Sequence, residues 1–250
     1  MKKRTLIFIS ISLALAMIGC SATVSTDGSN ININMDESSR IKAVELPTYE
    51  LPDDEFARAM DPQLNYLILV NKDHPYEFGG AYDQQLQKDL ACIADCYVGE
   101  ATPIEKGTLY AFTQLQYALE QKGMKVGLFN AYRTYDDQVE TNHLYPETMP
   151  PGLSEHHTGL VLDIMIWWTD KDGNGEWYTE TAERQAEIPE FKIVHETLAD
   201  YGFIDRYPAG KEDITGVPCE PFEIRFVGSS KIAHEIMDNG LCLEEYLENR

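Results

Sequence analysis

The segment Ser154-Glu155-His156-His157-Thr158-Gly159-Leu160-Val161-Leu162-Asp163 constrains this chain more than any other stretch. It sets an imidazole and a carboxylate seven residues apart, with Gly159 between them and a strand-like apolar run around Asp163. Neutral imidazole and ionised carboxylate are both good ligands for a divalent metal such as zinc. Alone, one such pair is a weak pointer, and the rest of the chain must supply the other groups.

The N-terminus reads as an export signal. Lys2, Lys3 and Arg4 precede a nearly continuous apolar run from Thr5 to Ile18, and Gly19-Cys20 follows. A basic start, a short apolar region and small residues at a cut site describe a secretory signal peptide. The run is short for a membrane span of about 20 residues. Gly19-Cys20 resembles a bacterial lipobox, so residues 1–19 are expected to be removed and Cys20 to be lipidated. That places the protein outside the cytoplasm, at the cell envelope, touching membrane only through its lipid anchor; plain secretion with a spare thiol is the alternative. Residues 20–55 are rich in Ser, Thr, Asn, Asp and Pro and lack periodicity, as a flexible tether does. Residues 56–250 suit one globular domain.

The formal net charge is -22, and loss of Lys2, Lys3 and Arg4 with the signal would take it to -25. Such a charge argues against nucleic acid and anionic membrane surfaces as partners. After Cys20 four cysteines remain, Cys92, Cys96, Cys219 and Cys242. An even number outside the cytoplasm permits disulfides Cys92–Cys96 and Cys219–Cys242, the second stapling a C-terminal helix to a central strand. Buried free thiols are the other reading.

Apolar spacing predicts strands at 64–71, 126–131, 160–168 and 222–227, and helices at 108–122, 191–201 and 231–247. Strands and helices alternate irregularly, which suits an α+β domain.

Four ordered segments carry a family resemblance. Ser154 to Asp163 fits S-x-H-x-x-G-x-x-x-D, and Asn130-Ala131-Tyr132-Arg133-Thr134-Tyr135-Asp136-Asp137-Gln138 is similar to S-G-Y-R-S-Y-x-x-Q. Tyr201 to Gly216 resembles G-F-I-x-R-Y-P-x-G-K-x-x-x-T-G, and Glu220 to Gly228 resembles E-P-W-H-x-R-Y-V-G. These are the motifs of the VanY-type D,D-carboxypeptidases, zinc peptidases of bacterial cell walls. The resemblance implies a single hedgehog/D,D-peptidase-like α+β domain with a small central antiparallel sheet flanked by helices. It also implies a zinc hydrolase cutting at D-alanine in peptidoglycan stem peptides. Carried over by position, His156 and Asp163 are the first two metal ligands and Glu220 is the general base. Arg133 holds the substrate carboxylate or the oxyanion, a task its planar fork suits, and Ser154 and Gln138 orient substrate.

The chain departs from the pattern at Glu223, where the family has its third ligand, a histidine. Either Glu223 binds the metal, giving one imidazole and two carboxylates, or the domain recognises wall peptides without cutting them. Carboxylates ligate zinc at about 2.0–2.2 Å, and a harder set favours other divalent ions. An endopeptidase cutting another wall bond is a third reading. His195-Glu196-Thr197-Leu198-Ala199 lacks the second histidine of an H-E-x-x-H helix, and His74, His143 and His234 have no partners at ligand spacing. Asp170, Asp172 and Asn174, followed by Gly175, look like the first half of a calcium loop, but position twelve is Thr181 and not a glutamate. A structural calcium ion and an acidic hairpin turn are the two readings of this loop.

Overall fold

The computed structural model of the protein describes residues 60–92, 102–181, 184–185, 188–248 and 250, together with two short strands nearer the N-terminus. Those strands, β1 (Thr26–Asp27) and β2 (Asn30–Ile31), pair antiparallel within a unit spanning Met1–Thr48. The export signal, Cys20 and the remainder of the expected tether lie outside the described residues, as does Cys96.

The second unit, Tyr49–Arg250, carries the α+β domain. Its elements are α1 (Ala81–Asp89), β3 (Leu90–Cys92), β4 (Pro103–Glu105), α2 (Lys106–Gln121), β5 (Lys125–Asn130), α3 (Tyr135–Leu144), β6 (Val161–Thr169) and β7 (Gly175–Tyr178). They continue with α4 (Phe191–Leu198), β8 (Phe203–Tyr207), α5 (Glu212–Thr215), β9 (Glu220–Phe226), α6 (Ser230–Met237) and α7 (Leu243–Glu248). A small antiparallel sheet runs in the order β5-β6-β9-β8, with β7 paired to the outer half of β6. β6 owes its central place to Val161-Leu162-Asp163-Ile164, buried throughout and rich in residues that pack well on a pleated surface.

The core lies between this sheet and α2 and α4, with Phe112, Leu115 and Leu119 of α2 set against Leu128, Leu162, Ile164 and Phe203 in one cluster. Glu105 starts α2 where no Ser, Thr or Asp stands: its buried carboxylate accepts from Gly107 N at 2.8 Å and Thr108 N at 2.7 Å, and from the Tyr66 hydroxyl at 2.9 Å. Gly159, at φ 70°, ends the 3-10 turn Glu155–Thr158 and redirects the chain into β6. A side chain there would meet Leu86 at 3.0 Å as well as the left-handed strain.

Three expectations are corrected. Residues 64–71 are not a strand: Asp61 and Asn65 side chains cap local turns at Gln63 N and Leu67 N. The carbonyls of Tyr66 and Ile68 are taken by the Arg225 guanidinium at 3.1 and 3.0 Å, not by a neighbouring strand. The C-terminal helix breaks into α6 and α7 at Gly240, φ 63°, where the Leu241 N–H reaches back to the Ile236 carbonyl in a left-handed cap. Cys219 and Cys242 are both free, the first exposed and the second buried, so no disulfide joins them.

Candidate metal centre and its cleft

Sheet register assembles the site. Asn130, Asp163 and Glu223 stand opposite one another on β5, β6 and β9. The 3-10 turn before β6 brings His156 over them, and His156 Nε2 lies 3.5 Å from both Asp163 Oδ1 and Glu223 Oε2. Among the described residues, these three form the grouping whose ligand atoms all lie within 4.8 Å of one another.

The donor atoms fit a divalent cation. His156 Nε2, Asp163 Oδ1 and Glu223 Oε1 are buried polar atoms without a hydrogen-bond partner, a costly state that a metal resolves. The imidazole is turned correctly, because Nδ1 donates to the Ala131 carbonyl at 2.5 Å and Nε2 faces the carboxylates. Donors about 2.1 Å from one ion at tetrahedral angles stand about 3.4 Å apart, close to the 3.5 Å from His156 Nε2 to each carboxylate. Asn130 Nδ2 donates to Asp163 Oδ2 at 3.0 Å and fixes that carboxylate.

Electrostatics point the same way. Burial and Arg133 both press the His156 pKa down, yet Asp163 and Glu223 outweigh them and carry it up to about 9. Burial resists ionisation of Asp163, but His156, Arg133 and Asn130 hold its carboxyl below the ordinary range. Two buried carboxylates about one imidazole demand positive charge. Glu220 is raised to about 8, first by burial and then by Glu223 and Asp163. A carboxylate near neutrality beside a metal position has the proton affinity of a general base.

The cleft over this centre has a volume of about 520 Å3. Arg133, Ser154, His156, Asp163, Glu220 and Glu223 all line it, and Phe129, Tyr145 and Phe222 give it apolar wall. The structure therefore gathers every residue expected at the metal and substrate site except Gln138. That side chain is fully buried behind Arg133, accepting from Nη1 at 2.8 Å and donating to the Met149 carbonyl at 2.7 Å. It aims the guanidinium and does not reach the cleft wall.

His157 is no substitute ligand. Its Nδ1 bonds the Arg133 carbonyl at 2.8 Å and its Nε2 accepts from Gly152 N at 3.0 Å. Burial, foremost, lowers its pKa and keeps it neutral. His195 lies outside the cleft, held between Asp205 and Glu180 at 2.6 Å each. The calcium reading of the acidic loop gives way to the hairpin turn joining β6 to β7. Asp170 Oδ1 is taken by the backbone N–H groups of Asp172 at 2.9 Å and Asn174 at 2.8 Å. Its oxygens hold the turn, and the carboxylate of Glu180, just past β7, pairs with His195.

Sequence reading passed over Glu155, Arg206, Arg225 and Glu244, four fully or nearly buried charges behind the centre. Glu155 Oε2 lies 2.7 Å from Arg225 Nη1 and 2.8 Å from Arg206 Nε, and Arg206 makes a two-bond fork with Glu244 at 2.8 and 3.0 Å. The network pins the His156 turn to β8, β9 and α7. Both arginines fall inside the quoted motifs, which was the available signal.

Comparison with known proteins agrees with this geometry. The family model described as VanY, D-alanyl-D-alanine carboxypeptidase, matches residues 102–229. A Bacillus subtilis (strain 168) protein described as putative carboxypeptidase YodJ is 34% identical over 199 residues, 74% of this chain and 67% of that one. The LdcB LD-carboxypeptidase structure superposes with TM-score 0.59 at 31% identity, covering 74% of this chain and 86% of that one. A mutant of the vancomycin-resistance D,D-pentapeptidase VanY, solved with Zn(II), gives TM-score 0.54 at 28% identity, covering 73% and 98%. Matches to two enterococcal D-alanyl-D-alanine carboxypeptidases span 35% and 31% of those proteins' length.

Proposed function

Because the chain belongs to the VanY family of D-alanyl-D-alanine carboxypeptidases, we propose that it is a metal-dependent carboxypeptidase removing the terminal D-alanine from peptidoglycan stem peptides. One observation carries the reading: three unpartnered buried donors, on His156, Asp163 and Glu223, share one cleft with Glu220 and Arg133. His156, Asp163 and Glu223 would hold the ion, Glu223 standing where the family has histidine. A bound divalent cation polarises the scissile carbonyl and lowers the pKa of water at the site.

The chain's own residues do the rest. Arg133, held by Gln138 and by a 3.4 Å approach to Asp163 Oδ2, presents its remaining donors to the substrate's terminal carboxylate. Glu220 takes the proton from the attacking water and returns it to the leaving D-alanine amine. Ser154, on the cleft wall two residues ahead of His156, orients the peptide. Phe129, Tyr145 and Phe222 exclude water around the residues before the scissile bond. We place the protein outside the cytoplasm, lipidated at Cys20, a reading that rests on the N-terminal sequence and is tested by the mass of the mature N-terminal peptide.

Incubation with a pentapeptide ending in D-Ala-D-Ala tests the reaction. The expected product is one alanine shorter by mass spectrometry and is lost on chelation. A second reading is favoured by Glu223 itself: a wall-peptide binder that retains Arg133 and Ser154 but does not hydrolyse. Saturable peptide binding with no mass change under any divalent cation would establish it. Cleavage of a tetrapeptide with a single terminal D-alanine, in preference to the pentapeptide, would move the specificity toward that of the LdcB structure.

A further inference from the structure

Resting on the metal-centre reading above, we propose that Glu223 shifts the preference of this centre away from Zn2+ and toward a hard, oxygen-preferring divalent cation of the Mn2+ type.

The donor set is one imidazole nitrogen and two carboxylates. Imidazole and thiolate favour zinc, whereas carboxylate and water suit manganese and magnesium. The advantage of zinc rests on its stronger bonds to nitrogen and sulfur, and each nitrogen exchanged for oxygen removes part of it. Attraction to a hard ion is mainly charge, and charge is concentrated here: Asp163 and Glu223 are cross-strand partners exposed by only 4% and 5%. Among the described residues, the permanently charged cation in contact with them is Arg133, which reaches Asp163 at 3.4 Å.

Among the described residues, nothing nearby restores a second nitrogen. His157 is committed at both ring nitrogens to Arg133 O and Gly152 N. Asn130 turns its amide nitrogen, a donor that cannot ligate, toward Asp163. Glu223 also offers what an imidazole cannot: Oε2 faces His156 Nε2 while Oε1 is buried and unpartnered, so the carboxylate has a second oxygen to give. A second oxygen raises the coordination number toward the six that hard cations prefer.

The test measures binding, not turnover. The purified full-length chain is stripped with chelator, and its affinities for Mn2+ alone and Zn2+ alone are measured. Loss of the free Mn2+ paramagnetic signal reports the first, and competition with a chromophoric chelator the second. The ratio of the two dissociation constants is compared with those of Glu223→His and Glu223→Gln. Glu223→His is expected to move it toward zinc by about 100-fold, and Glu223→Gln by about tenfold through weakened Mn2+ binding. Circular dichroism establishes that each variant is folded. A ratio unchanged in folded Glu223→His overturns this inference and leaves the hydrolase reading standing. Failure of the wild-type chain to bind either cation overturns both.

Discussion

Asp163 on β6 and Glu223 on β9 face each other directly across the sheet, each with a buried carboxylate oxygen that no protein group satisfies. Like charges directly opposite destabilise a strand pair, and burial raises the penalty because the low dielectric weakens screening. The fold carries this conflict at its centre, next to an imidazole whose pKa it has drawn up to about 9. Stability and metal affinity are therefore coupled at one register position.

A bound divalent cation should raise the melting temperature well beyond a nonspecific salt effect. At a ligand concentration 100 times the dissociation constant the gain is about 2.7 kcal/mol, or roughly 5–10 °C for a domain of this size. His156→Ala should abolish the shift. Differential scanning fluorimetry with and without chelator checks it, and an equal shift in the variant would mean that the ion binds elsewhere.

Glu220→Gln should lower kcat by about 10²- to 10⁴-fold, the usual worth of a positioned acid–base group, and leave metal content intact. The group is suited to the task because burial, Glu223 and Asp163 hold its pKa at about 8. Activity within a few-fold of wild type at full metal loading would remove Glu220 from the mechanism.

Arg133→Lys keeps the charge and loses the fork, so kcat/KM should fall by about tenfold or more. Discrimination between a free and an amidated peptide C-terminus should fall with it. Gln138→Ala should act in the same direction but more weakly, since it frees Nη1 without removing the guanidinium. Kinetics on the paired peptides decide. Undiminished preference for the free acid in Arg133→Lys would assign carboxylate recognition to another residue.

The sheet strands and the cleft were legible because their signals are local. Val161 to Thr169 is apolar and β-branched, and the spacing of His156, Gly159 and Asp163 is a turn followed by a strand. What escaped was set by distant partners. Leu64 to Asn71 has the composition of a strand, but Arg225 takes its carbonyls from more than 150 residues away. α3 carries almost no apolar stripe and begins instead at a Thr134–Asp137 capping box. Gln138 is assigned to substrate by its motif position, while its burial depends on the Met149 carbonyl across a loop. Glu155 occupies an unassigned motif position beside His156 and is buried by two arginines from distant strands.

Glu155→Gln should destabilise the domain by about 3–5 kcal/mol, because it leaves Arg206 and Arg225 buried without their shared anion. For a domain of this length that is a fall of roughly 6–20 °C. Metal affinity should fall with it, since the same turn carries His156. Urea titration and thermal melts measure the first effect. A change below about 1 kcal/mol would show that the network is solvated and not a buried anchor.

His195 makes the domain's stability depend on alkaline pH. Burial alone would lower its pKa, but Asp205 and Glu180, each 2.6 Å from a ring nitrogen, overcome this and raise it to about 10 from an ordinary 6.5. A group bound more tightly to its proton in the folded state adds stability that is full below the unfolded pKa and vanishes as pH passes the folded one. The contribution should thus be complete near pH 6, decline through pH 7–9 and be gone above about pH 10. The imidazolium also ties the segment after β7 to α4 and β8, so its loss loosens three elements together. In denaturant melts His195→Gln should be less stable than wild type by about 2 kcal/mol at pH 6, with the gap closing toward pH 10. A gap independent of pH would mean that His195 packs as a neutral ring and that Glu180 and Asp205 draw their stability from other partners.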